Sequence, residues 1–277
     1  MPGEVPLLWY NEAAHVRGKL RGAMDAASVN RGVMIVTGGG RGIGAATARL
    51  AAGRGYAVCV NYLRDHVAAR ALESEITNAG GRAIAVAGDV AREADVMRIF
   101  DTARDQLGAL TALVNNAGIL ERQARLDEMD AARFERVFAT NITGAFLCAR
   151  EAVRRMSTRH GGKGGAIVNV SSMAAKLGSP GEYVDYAASK GAIDALTVGL
   201  AKEVAEEGIR VNAVRPGLIY TGIHASGGEA GRVDRVKSAV PMKRGGQPEE
   251  VARAILWLLS DEASYSTGTF IDVSGGR

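Results

Sequence analysis

From Gly32 to the C-terminus, short β-branched runs alternate with long stretches of helical period. The runs predict strands at Val33–Val36, Ala57–Asn61, Ala83–Ala87, Ala112–Asn115, Ala166–Val170, Arg210–Val214 and Thr269–Val273. Every intervening stretch is long enough to hold a helix, which makes the strands parallel and their crossovers right-handed. The runs lack strict alternation of apolar and polar residues, the pattern of strands covered on both faces. The expected fold class is α/β: a doubly wound, parallel, seven-stranded sheet in a single domain over residues 31–277.

Two helical stretches say more. Phe134–Met156 reads as a helix with Asn141 inside it, where asparagine is a poor helix former and often just solvated. Val184–Val204 is apolar almost all round at Gly191-Ala192-Ile193 and Ala195-Leu196-Thr197-Val198. Such a helix needs cover on two sides, the sheet on one and a second subunit on the other. In residues 218–248, glycines at 222, 227, 228, 231, 245 and 246 interrupt mixed charged and apolar positions. That composition predicts a mobile flap beside a site. Residues 1–30 are expected to be an arm outside the core, or the product of a misplaced start. Val5-Pro6-Leu7-Leu8-Trp9-Tyr10 is too short for a signal sequence, and Glu4 stands where one would be basic. Arg17, Lys19 and Arg21 faintly suggest a transit peptide, which Glu4, Glu12 and Asp25 weaken.

The 277 residues are 47% hydrophobic and 23% charged, globular values for a chain of this length. A formal charge of +4 is spread along the chain, so no nucleic-acid partner and no membrane surface is expected. No apolar run approaches bilayer length. Cys59 and Cys148 lie far apart in apolar contexts, which implies no disulfide and, by default, a cytoplasmic setting. No cluster has metal-ligand spacing, so no metal is expected.

The candidate chemistry begins after the first strand, at Thr37-Gly38-Gly39-Gly40-Arg41-Gly42-Ile43-Gly44. A strand, a glycine turn and a helix in that order make a dinucleotide site of Rossmann type. Gly38 permits the tight exit from the strand, and Gly42 and Gly44 let backbone and helix approach a pyrophosphate. By itself the turn is equally a helix-capping loop. Gly161-Gly162-Lys163-Gly164-Gly165 precedes its strand and reads as a surface linker. Beyond the second strand a carboxylate would bond a ribose 2′-hydroxyl. Here Asn61 is neutral, while Arg41 and Arg64 can reach a 2′-phosphate. NADP(H) is the expected cofactor; Asp65 keeps NAD(H) possible.

Tyr186 and Lys190 stand four residues apart, on one face of the 184–204 helix. An ammonium beside a phenol favours the phenolate, pulling its pKa from about 10 toward working pH. Tyr183 has Ala187 one turn on and no such partner, which suits a substrate pocket. That pocket is expected to draw on Ala174, Leu177, Tyr183, Leu218, His224 and Met242, although His224 is equally a solvated flap residue. His15, His66 and His160 read as surface residues.

With these motifs placed, residues 32–276 resemble the short-chain dehydrogenase/reductase family nearly end to end. The resemblance is carried by the glycine turn, Asn115-Asn116-Ala117-Gly118, Asn141, Ser172, Tyr186-Ala187-Ala188-Ser189-Lys190 and Pro216-Gly217. Val60-Asn61-Tyr62 is most similar to 3-oxoacyl-carrier-protein reductases and glucose 1-dehydrogenases of that family. The chain departs from the common reductases in a longer Ser-to-Tyr loop and in Val273-Ser274-Gly275-Gly276, which lacks an acidic residue before the glycines.

The resemblance implies a catalytic set of Asn141, Ser172, Tyr186 and Lys190, with Tyr186 as the general acid/base and Ser172 preferred over Ser171. Asn141 would hold a water linking Lys190 to solvent, and Lys190 would also bond the nicotinamide ribose. For the nucleotide it implies Gly38, Arg41, Gly42, Ile43, Gly44, Asn61 and Arg64, then Asp89 and Val90 at the adenine. Asn115, Ala117 and Gly118 would support the adenosine half, with Tyr186, Pro216 and Gly217 at the nicotinamide and Thr221 at its carboxamide or at a phosphate. It implies a homotetramer or dimer through Phe134–Met156 and Val184–Val204. The activity implied is the interconversion of a secondary alcohol and a carbonyl. A cofactor-sensing protein without catalysis is the alternative, since fold alone does not fix function.

Overall fold

The computed structural model describes residues 31–277, so the expected N-terminal arm lies outside the described residues. Seven strands form: β1 Val33–Val36, β2 Ala57–Tyr62, β3 Arg82–Ala87, β4 Leu110–Asn115, β5 Gly165–Val170, β6 Ile209–Pro216 and β7 Phe270–Val273. They pair in parallel in the order β3-β2-β1-β4-β5-β6-β7. The expected strands are all present, their ends shifted by no more than two residues. The order reverses between β1 and β4, where Val36 pairs with both Val60 and Val114. A ligand crevice belongs at that switch point, outside the carboxyl ends of the strands.

Alternate strand residues feed two cores. On one face Met34, Val36, Val58, Val60, Val114 and Val168 pack against α1 (Gly42–Ala52), α2 (His66–Asn78) and the late helix Pro248–Leu259. On the other Ile35, Cys59, Leu113, Ile167 and Val211 meet α3 (Glu93–Leu107), α5 (Gly144–Met156) and α7 (Val184–Val204). Burial on both faces explains why the runs read as continuous rather than alternating. Helix starts are set locally: Asp65 caps α2 through the Ala68 amide at 3.0 Å. Asp130 caps α4 (Ala131–Phe138) through the Arg133 amide at 2.7 Å.

The stretch read as a helix over 134–156 begins earlier and is interrupted. A π turn over Ala139–Thr143 separates α4 from α5 and carries Asn141. The flap region holds its own small apolar cluster of Leu218, Val233 and Val240. It contains α8 (Ile223–Ser226) and α9 (Arg232–Val236), and Ile219 bridges to Gly246. Pro248–Leu259 is α10, with Pro248 in its first turn and a Gln247/Glu250 capping box. The short α6 (Ala174–Leu177) follows β5.

Cys59 and Cys148 are buried and unpaired, and burial pushes both thiols up to about 12. Among the described residues no helix is long and apolar enough to cross a membrane, and no cluster of His, Cys, Asp and Glu could hold a metal ion. His66 and His160 are exposed, as read, and His15 lies outside the described residues.

Candidate active site

One cavity of about 1360 Å³ runs along the carboxyl ends of the strands, from the glycine turn to the flap. Of the expected residues it is lined by Gly38, Arg41, Gly42, Ile43, Asn61, Arg64, Asp89, Val90, Ala117 and Gly118 on the nucleotide side. Ser172, Tyr186, Lys190, Pro216, Gly217 and Thr221 line it at the other end. Gly44, Asn115 and Asn141 do not, and each sits one layer behind the wall.

At the turn, Gly38 and Gly42 have φ of +59° and +54°, conformations that L-residues with a Cβ rarely adopt. Gly44 is required by space: a Cβ there would lie 2.6 Å from both Asn116 Nδ2 and the Gly38 carbonyl oxygen. That close approach fixes the start of α1 against the turn. Asn116, which the sequence reading left out of the nucleotide site, donates from Nδ2 to the carbonyls of Thr37 (2.9 Å) and Gly38 (3.0 Å). Thr37 Oγ1 in turn accepts from the amides of Asn116 and Ala117, each at 3.0 Å. The last residues of β1 and β4 are thereby tied together under the crevice.

Three residues at this end have side chains already engaged within the protein. Asn61 is buried, its Nδ2 donating to the carbonyl of Gly88 at 3.0 Å and its Oδ1 accepting from the Gly38 amide at 3.3 Å. Its side chain braces the turn and is not free for a ribose. Asn115 points into the core, where Nδ2 donates to Ala145 O (3.1 Å) and Asn169 Oδ1 (3.0 Å). Asn169 Nδ2 continues to Thr197 Oγ1 at 2.9 Å. Asp65 spends its carboxylate on the α2 cap. By contrast, the exposed guanidinium groups of Arg41 and Arg64 make no ion pair or hydrogen bond among the described residues. Thr221, from the flap, packs its methyl 3.3 Å from where a Cβ on Gly42 would stand.

At the other end, Tyr186 and Lys190 share a face of α7, as their spacing requires. The expected acidified phenol is not found. Burial pushes the Tyr186 pKa up, with the Ser172 hydroxyl acting in the opposite direction. Lys190 is itself desolvated, which lowers its pKa to about 8 despite the nearby Asp194 carboxylate. Its Nζ donates to the Val170 carbonyl at 2.7 Å and lies 5.6 Å from the centroid of the Tyr186 ring. The ammonium sits over the ring rather than at its oxygen.

The two serines separate clearly. Ser171 is buried, and its hydroxyl donates to Asp194 Oδ1 at 2.6 Å. Ser172 is partly open to the cavity and accepts from the Ala174 amide at 3.1 Å. Asn141, 1% exposed, accepts at Oδ1 from the Ile119 amide (2.8 Å) and donates to the Ile119 carbonyl (3.0 Å) and Ser189 Oγ (3.1 Å). A Cβ on Gly118 would stand 3.5 Å from Asn141 Oδ1 and 3.6 Å from Lys190 Nζ, so the bare glycine leaves both groups near one point of the cavity wall.

The substrate end is walled by Ala174, Leu177, Tyr183, Leu218 and His224, as read. Met242 is a correction: it is 60% exposed and outside the cavity wall. Arg232 was missed. Its guanidinium grips Glu182 through two hydrogen bonds of 2.8 and 2.5 Å and lies 5.3 Å from the centre of the Tyr183 ring. Also unforeseen is Arg133 paired with Asp185, one residue before Tyr186. Both guanidinium contacts (2.8 and 3.1 Å) are buried, with side chains 8% and 1% exposed. Arg133 Nη1 also donates to the Arg122 carbonyl at 2.6 Å. Neither pair leaves a periodic trace, since the partners stand 50 and 52 residues apart.

Residues 38–277 match a family profile described as enoyl-(acyl carrier protein) reductase. The chain is 61% identical over 245 residues to an uncharacterized oxidoreductase, YgfF, of Escherichia coli (strain K12), covering 88% of this chain and 99% of that one. It is 38% identical over 242 residues to glucose 1-dehydrogenase 2 of Bacillus subtilis (strain 168), covering 87% and 93%. The crystal structure of 3-ketoacyl-(acyl-carrier-protein) reductase from Brucella melitensis complexed with NADH superposes with a TM-score of 0.83 at 32% identity. That match covers 90% of this chain and 99% of the other.

Proposed function

Because the chain belongs to the short-chain dehydrogenase/reductase family and is one of its oxidoreductases, we propose that it interconverts a secondary alcohol and a carbonyl, preferring NADP(H). The supporting observation is that Ser172, Tyr186 and Lys190 open onto the same cavity as the glycine turn. A nicotinamide cofactor suits these residues, because the positive-φ glycines and Gly44 make room that a Cβ would fill. Bound there, it supplies or takes up the hydride. Gly38, Gly42 and the start of α1 hold the pyrophosphate, with backbone amides at the positive helix end. Ile43, Asp89, Val90, Ala117, Gly118, Pro216, Gly217 and Thr221 enclose the remainder.

Tyr186 donates its proton to the substrate oxygen during reduction and removes it during oxidation. Its raised pKa keeps that proton in place until an oxygen arrives. Ser172 hydrogen-bonds the same oxygen and fixes its distance. Lys190 would bond the nicotinamide ribose, and its ammonium, 5.6 Å from the Tyr186 ring centre, would favour the phenolate. Asn141 lies behind Gly118, beside Lys190, and is the residue for a water on the proton path to solvent.

The preference for NADP(H) is supported by the Arg41 and Arg64 guanidinium groups, exposed at the cavity and unpaired among the described residues, while Asp65 lends one carboxylate oxygen to the α2 cap. Charge-assisted hydrogen bonds to a phosphate are each worth about 1.5–3 kcal/mol. Arg64→Ala, and Arg41→Ala independently, should raise the Kd for NADPH about tenfold or more while leaving that for NADH nearly unchanged. Fluorescence titration with both nucleotides measures this, and equal losses for the two would remove the preference. A second copy of the chain completes the reading. Phe146 of α5 and Ala188, Ala195, Val198 and Gly199 of α7 are exposed and apolar or small. Sedimentation equilibrium should find a tetramer or dimer, and a monomer at micromolar concentration would refute that.

A further inference from the structure

Among the described residues, a buried polar atom of a cavity-lining side chain has no hydrogen-bond partner. His224, on the single turn α8, is 9% exposed and lines the cavity. Its Nε2 lies 2.9 Å from the carbonyl oxygen of Ile219. A carbonyl only accepts, so Nε2 carries the proton and the neutral ring leaves Nδ1 as a lone-pair acceptor. Burial draws the imidazole pKa below its usual value, partly offset by the Ile219 carbonyl, which keeps that neutral form at neutral pH. Nδ1 is shielded from bulk water and has no hydrogen-bond partner among the described residues. Buried acceptors are rarely left so, and one in a ligand cavity calls for a donor.

The neighbouring groups narrow what that donor is. Tyr183 sits against the same flap, its hydroxyl reaching the Gly227 carbonyl only at 3.4 Å. Arg232 is paired with Glu182. Arg277 at the rim is exposed. The rest of this end of the wall mixes apolar Leu120, Leu177, Leu218 and Ile223 with the hydroxyls of Ser179 and Ser226. Among these groups the imidazole acceptor is the one left without a partner, and a substrate hydroxyl is a donor that answers it.

Resting on the oxidoreductase reading above, we infer that His224 Nδ1 accepts a hydrogen bond from a substrate hydroxyl remote from the reacting carbon, so that hydroxylated carbonyl compounds and their polyols are the favoured substrate class. With this goes a rotation of the single turn α8, bounded by Gly222 and Gly227, that turns Nδ1 toward the bound molecule. A plain acyl chain or simple ketone leaves the acceptor unsatisfied and is discriminated against.

Matched ketones test this in the intact enzyme with NADPH: 4-hydroxy-2-butanone against 2-pentanone, of similar size. Wild type should favour the hydroxyketone in kcat/KM by about tenfold or more, expressed mainly in KM. His224→Leu should abolish the preference while still reducing 2-pentanone. His224→Asn, whose amide can both donate to Ile219 and accept, should restore part of it. If the leucine variant is insoluble, His224→Phe keeps the ring and lacks the acceptor, and reads the same contrast. An undiminished preference in the leucine or phenylalanine variant overturns the role of His224 and leaves the oxidoreductase reading standing. Wild-type indifference to the hydroxyl overturns the substrate class. Absence of turnover for every ketone and alcohol with both nicotinamides overturns this inference and the oxidoreductase reading together.

Discussion

Tyr186→Phe is expected to lower turnover by roughly 10²–10⁴-fold, the usual worth of a positioned general acid. The ring stays, so the cation over its face and the packing of α7 stay with it. Only the transferable proton is lost. The hydroxyl acts chiefly in the transition state, so kcat and kcat/KM should fall together while nucleotide affinity holds. Stopped-flow loss of nicotinamide absorbance reads the first quantity, and calorimetry the second. Direction adds a control: alcohol oxidation needs the phenolate and should climb toward alkaline pH, whereas reduction needs the phenol and should fall there. The base and acid roles set that sign, and the raised phenol pKa moves both changes to the alkaline side. Near wild-type turnover in the phenylalanine variant would remove Tyr186 from the mechanism.

The largest expected stability effect lies one residue away, in the Arg133–Asp185 pair. Arg133→Met leaves the Asp185 carboxylate almost wholly buried without its counter-ion. Breaking a buried pair from one side costs about 3–5 kcal/mol. In a domain of this size that is a drop of roughly 10 °C in Tm. Replacing both partners, Arg133→Met with Asp185→Leu, should recover much of the loss, because no stranded charge remains. Scanning calorimetry of the two single variants and the double variant measures the cycle. Equal melting of wild type and Arg133→Met would show that the pair contributes nothing, despite its burial.

Much of this molecule is visible in the chain itself, for physical reasons that can be named. β-Branched runs buried on both faces mark strands whatever the tertiary detail, so the strands fall where Val33–Val36 and its counterparts lie. The Tyr186–Lys190 spacing fixes a shared helix face. What spacing does not fix is where a side-chain tip ends. Lys190 reaches the Val170 carbonyl, and desolvation of the phenol outweighs the Ser172 hydrogen bond, so its pKa moves opposite to the simple expectation. Asn61 lies at the right distance from the glycine turn, yet every polar atom it has is spent on backbone. The π turn at Asn141 inserts one extra residue into a helical period, too small a change for periodicity to register. Arg232–Glu182 and Arg133–Asp185 join distant segments, and only folding brings them together.

The chain of amides from Asn115 through Asn169 to Thr197 has a consequence for assembly. A hydrocarbon interior tolerates small sideways slips; a row of matched donors and acceptors does not. If β4 and β5 slipped against each other, these dipoles would be left dry and unanswered, and α7 would lose its anchor at the third of them. Keeping the two middle strands in step therefore also holds the helix that bears Tyr186 in place.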